Sequence, residues 1–105
     1  MKKFLNLTYF LAIYADPAGG CRMIFADFKR VVNHGDSVED AISRSRIYLG
    51  ALATDMVEHD APFPVPSLIQ DFRDKLIPED GVPLCIVPIS VHIPVGKVGI
   101  RFVAS

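Results

Sequence analysis

The segment Phe25 to Ala41, Phe-Ala-Asp-Phe-Lys-Arg-Val-Val-Asn-His-Gly-Asp-Ser-Val-Glu-Asp-Ala, leaves few options for the chain around it. An extended run reaches a glycine, turns, and enters a helix whose start is written in its residues. Ser37 predicts the N-cap, because a short hydroxyl accepts a hydrogen bond from an orphaned backbone N–H of the first turn. With Asp40 it forms a Ser-x-x-Asp variant of the capping box, and Asp36, Glu39 and Asp40 set negative charge at the positive end of the helix dipole. Gly35 is read as taking a backbone angle that other residues adopt only at a cost. Beyond the cap, Val38, Ala41, Ile42, Leu49, Leu52, Ala53 and Met56 recur at the three-and-four spacing of one buried stripe, so the helix packs across a sheet. It ends near His59-Asp60, since Pro62, Pro64 and Pro66 favour an extended crossing. Asp40 and Arg44 pair on its outer face, a contact worth about 0.3–0.5 kcal/mol. Gly50 costs the helix on the order of 1 kcal/mol relative to alanine, which predicts a tight packing contact at its backbone.

The remaining elements follow from alternation and punctuation. Tyr9 to Tyr14 reads as a strand, Asp16-Pro17-Ala18-Gly19-Gly20 as a turn, and Cys21 to Phe28 as the returning strand of a β-hairpin. Val31-Val32-Asn33 supplies a third short strand. Ser67, with Gln70 three residues on, predicts a second capping box opening a short helix that buries Leu68, Phe72 and Leu76 and stops at Pro78 and Gly81. Leu84 to Val91 suits a buried strand, which Pro88 pushes towards a sheet edge or a bulge. Val98 to Val103 alternates as a last short strand. The fold class is therefore α+β: a three- to four-stranded, mainly antiparallel sheet with one long helix packed across it and a second short helix. Residues 1–95 form one domain and residues 96–105 a C-terminal strand or tail.

Half of the 105 residues are hydrophobic, enough for a single core, and a formal charge of -1 argues against a basic nucleic-acid groove or an anionic-membrane binder. Cys21 and Cys85 belong to no metal or disulfide pattern and read as reduced residues of a cytoplasmic protein. Lys2, Lys3 and the apolar run from Phe4 to Ala15 share features with a secretory leader, which leaves a small secreted structural domain as one alternative. Asn6 and Thr8 interrupt that run, which is too short to span a bilayer. No phosphate loop, nucleophile elbow or His-Glu-x-x-His occurs. His34, His59 and His92 stand apart from one another. The acids do not assemble a two-metal nuclease centre either: Asp16 lies in a turn, Asp27 at a strand end, and Asp36, Glu39 and Asp40 at a helix start. No catalytic, metal or cofactor site is expected.

Taken in order, these marks resemble the HicB-type antitoxins of bacterial and phage toxin–antitoxin pairs. The resemblance spans roughly residues 9 to 91. It is carried by the strand, Gly-Gly turn and strand from Tyr9 to Phe28, by Phe25, Asp27, Phe28, Val32, Gly35, Asp36, Ser37, Glu39 and Ala41, and then by the amphipathic helix and Pro64-Val65-Pro66-Ser67. Ala26 stands where family members commonly carry proline, and Lys29-Arg30-Val31 where they carry Pro-Gly-Cys. The resemblance implies a partial ribonuclease H-like fold without the nuclease's acids. It also implies a function, binding and neutralising a HicA-type toxin, a small ribonuclease that degrades messenger RNA. A degenerate ribonuclease H-like nucleic-acid-processing enzyme is the other alternative. Gly96 to Phe102 resembles the segment through which family members enter a ribbon-helix-helix DNA-binding module. An alternating strand of this kind leaves unpaired backbone groups, and a second copy would satisfy them. A homodimer or higher homo-oligomer through Val98, Ile100 and Phe102 is expected, with pairing back onto the chain's own sheet as the competing arrangement. With only Lys97 and Arg101 near that strand to reach phosphates, DNA binding should be weak or absent.

Overall fold

The structure is a computed structural model that describes residues 3–95 and 100–104. It is α+β. Strand β1 (Lys3–Ala15) runs through the middle of a four-stranded antiparallel sheet with β2 (Cys21–Phe25), β3 (Arg30–Gly35) and β5 (Cys85–Val95), in the order β3-β2-β1-β5. Helix α1 (Val38–Glu58) follows β3, and a two-residue strand β4 (Phe63–Pro64) and the short helix α2 (Ile69–Asp74) precede β5. The final element, β6 (Phe102–Val103), pairs parallel with β4 as a separate two-stranded sheet.

β1 begins six residues before Tyr9, where the sequence reading starts the strand. Asn6 and Thr8 do not interrupt the strand; they are its solvent face, alternating with Leu5, Leu7 and Tyr9 on the core face. Thr8 Oγ1 lies 2.9 Å from Ser90 Oγ of the neighbouring strand on that outer face. β5 follows β1 from Lys3↔Val95 to Ile13↔Cys85, whereas β2 reaches only Ala12 to Ala15. As Pro88 requires, β5 is an edge strand, where a missing N–H costs no ladder bond.

α1 covers one face of the sheet, and its residues Ala41, Leu49 and Ala53 close the main core over Tyr9, Leu11, Ile13, Met23, Phe25, Ile89 and Ile93. The stripe is as read except for Leu52, which is half-buried outside this core, with Ser45 added at its centre and Tyr48 at its flank. Small residues at positions 41, 45 and 53 let the helix lie close. Gly35 follows from that closeness and not from a left-handed angle: a Cβ there would stand 2.7 Å from Ala41 Cα. Gly50 corrects the sequence reading in the other direction, since a Cβ there would meet nothing within 4 Å. On the opposite face, Phe72 of α2 is buried with Ala12 and Tyr14, flanked by Phe10, Ile24, Ala26, Leu76 and Ile86.

The tail turns back on the chain. Phe63 N–H donates to the Arg101 carbonyl (2.8 Å) and Val65 N–H to that of Val103 (3.1 Å), while Ile100 packs against the main core. The partner of this strand is thus β4 and not the four-stranded sheet. Val98, the first residue of the expected dimer strand, lies outside the described residues. Among the described residues, no helix is long and apolar enough to cross a membrane.

Candidate functional site

β2 ends in a single 3-10 turn, Ala26–Phe28, which is closed by Lys29 in the left-handed region with φ 54°. That turn carries Asp27 inward, leaving its side chain 1% exposed. A buried carboxylate must be paired and hydrogen-bonded to be tolerated. Here it accepts from the Ser67 N–H (2.9 Å), from the Ser67 hydroxyl and from Lys75 Nζ (2.8 Å). Lys75 Nζ also donates to Ser67 Oγ at 2.8 Å. Ser67 therefore does not cap α2: Leu68 stands at the N-cap position, with no side-chain cap bond, and is 75% exposed rather than buried. The hydroxyl goes to Asp27 because that group is buried and charged, and the first turn of α2 is not.

The aromatic residues beside Asp27 belong to the same junction. Phe28 meets Tyr9 edge-on at 4.5 Å between centroids and packs on Phe25 at 6.4 Å, and Phe25 stacks on Tyr48 at 6.5 Å. The Tyr9 hydroxyl donates to the Pro64 carbonyl at 2.7 Å. Burial, with the negative charge of Asp27 adding to it, pushes the Tyr9 hydroxyl well above the usual tyrosine range. Phe25, Asp27, Phe28 and Pro64 are thus brought together, and they tie the end of β2 to the proline-rich crossing. Pro66 is half-buried beside Ser67. Chemically the junction is a clamp: the Ser67 hydroxyl and the Lys75 ammonium both direct protons at Asp27, so neither is arranged to activate the other as a nucleophile.

The other motif residues form a second group at the start of α1. Ser37 Oγ accepts from the Asp40 N–H (3.1 Å), and Asp40 Oδ2 accepts from the Asp36 N–H (2.8 Å) and from Arg44 Nε (2.8 Å). The box closes on Asp36, one residue outside the N-cap. The backbone N–H of Asp36, with Arg44 adding, holds the Asp40 carboxyl below the usual aspartate range. Glu39 is an exposed acid of the first turn, and Gly35 and Ala41 are the close contact already described.

Two surfaces were not legible in the sequence. The first is a cleft of about 320 Å³ between β2, the 3-10 turn and the segment after α2, lined by Arg22, Lys29, Lys75 and Asp80 over Ile24, Ala26, Leu76 and Ile77. Arg22 pairs with Asp80 at 3.1 Å and lies over the Tyr14 ring, 5.2 Å from its centroid. The second is apolar: Leu68, Ile69, Ile77, Val82 and Leu84 are all exposed around α2, Val82 by 90%. A shallow groove there, about 570 Å³, runs between Ile69, Leu76, Val82 and Leu84. Asp16 is used locally, accepting from the Ala18 N–H at 2.9 Å, and no group of three or more metal-ligating side chains occurs among the described residues. Comparison with protein-family models, with curated proteins and with solved structures finds no match to this chain.

Proposed function

We propose that this chain is a non-catalytic protein-binding module, an antitoxin of the HicB type that binds and neutralises a HicA-type mRNA-degrading toxin in the cytoplasm. The observation that carries the reading is the apolar face around α2, where five large hydrophobic side chains lie exposed between residues 68 and 84. A face of this kind is what a partner protein covers. The resemblance adds support, because Phe25, Asp27, Phe28 and Pro64, which carry it, act together as the clamp that holds the start of that face. Ser67 is fixed to Asp27 directly before Leu68, so the position of α2 depends on a buried charge and not on its own six residues. The chain acts as a homodimer through Phe102 and its neighbours, and its own DNA binding is weak or absent.

Co-expression with the small protein encoded beside it tests the reading. Growth inhibition by that protein should be relieved, and Val82→Asp in the exposed face should abolish the relief while leaving the melting temperature unchanged. Unrelieved toxicity counts against the antitoxin role. The enzyme alternative is tested on the purified chain with magnesium or manganese: turnover of RNA or an RNA–DNA hybrid that Asp27→Asn abolishes would replace this reading with a nuclease.

A further inference from the structure

The cleft beneath Arg22, Lys29 and Lys75 adjoins the apolar face, with which it shares Ile77, and its chemistry differs in its charged rim. Three cations and one carboxylate line it, and two of those cations are already committed: Arg22 to Asp80, and Lys75 to Asp27. Lys29 has no carboxylate partner among the described residues. Its backbone is also held at φ 54°, a region that residues other than glycine adopt at a cost and that recurs where side chains are positioned for binding. Below the charged rim, the cleft is floored by Ile24, Ala26, Leu76 and Ile77. A volume of about 320 Å³ is at the lower end of small-molecule sites. A surplus positive charge over an apolar floor selects one negative charge carried on a short apolar stem.

We infer that this cleft is a binding site for a small amphiphilic carboxylate, its head paired with Lys29 beside Arg22 and its stem laid on Ile24, Leu76 and Ile77. Phosphate and other dianions fit less well, because Asp80 and Asp27 already offset two of the three cations. The inference does not depend on the antitoxin reading, since it rests on the charged rim at Arg22 and Lys29 and shares only Ile77 with the apolar face.

The test is an amide-resolved NMR titration of the full chain with hexanoate, with hexylamine and acetate as comparison probes. Hexanoate should produce saturable shifts concentrated at residues 22–29 and 75–80, and hexylamine none there. Acetate, which lacks the stem, should bind at least about tenfold more weakly, and Lys29→Gln should weaken hexanoate by a similar factor with the spectrum otherwise retained. Lys29 is exposed, so this variant does not disturb the core. Equal binding of hexylamine and hexanoate, equal binding of acetate, no saturable shift, or an unchanged affinity in Lys29→Gln would each overturn the assignment.

Discussion

Asp27 is where one side chain decides most. It sits at a strand end in the sequence, where an acid is ordinarily solvated, yet in the fold it is the anchor for Ser67 and Lys75 across 40 and 48 positions of chain. Asp27→Ala should cost about 2–4 kcal/mol in denaturant unfolding, below the upper range for a buried pair because Lys75 keeps 29% exposure and can turn to water. Ser67→Ala should cost about 1–2 kcal/mol, and the double variant should cost clearly less than the sum of the two. Strict additivity would mean that the two residues do not act as one clamp. The same scale gives the pH dependence. Asp40 is held below the usual range by the Asp36 N–H, so its contribution is present above the unfolded aspartate value, near pH 4, and is lost as pH falls through the lowered folded value. His59 is raised by the Asp55 carbonyl and carboxylate, so its contribution is full below about pH 6.5 and is lost as pH rises through the raised value. Melting curves of His59→Gln should lack the second loss, and those of Asp40→Asn the first.

Elements were legible where the signal was local, and misplaced where a distant partner set the outcome. The cap at Ser37, the long helix, the Gly19-Gly20 hairpin turn and the edge position forced by Pro88 all follow from neighbours within a few residues. Ser67, three residues before Gln70, has the spacing of a cap, while its partner in the fold is Asp27. Leu68 then lost its expected burial, and the apolar face around α2 became visible only in three dimensions. The cleft was hidden for the same reason, as Arg22 and Asp80 are 58 residues apart. Two glycines separate the explanations cleanly. Gly35→Ala should destabilise the protein by about 1–3 kcal/mol, because the new Cβ meets the backbone of Ala41 and not a flexible side-chain end. Gly50→Ala should stabilise it by about 0.5–1 kcal/mol, since space is open and only helix propensity changes. Chemical denaturation of the two variants measures both, and opposite signs are the expected outcome.

At the scale of the whole molecule, the sheet holds a long helix on one face and a short, clamped one on the other, and the tail closes against β4. The carbonyls of Arg101 and Val103 are engaged within the chain, while the Phe102 side chain remains 43% exposed. The proposed dimer therefore draws on the exposed Phe102 side chain. Light scattering should give a dimer for the native chain and a monomer for Phe102→Asp, and equal masses would remove this residue from the interface. The exposed face around α2 is proposed to be the surface that a toxin covers. Calorimetric titration of the chain with the purified protein encoded beside it, at physiological salt, tests it most directly. Saturable binding at fixed stoichiometry is expected, with Val82→Asp and Leu84→Asp each weakening it at least about tenfold. Absence of binding, or binding that both variants leave unchanged, would contradict it.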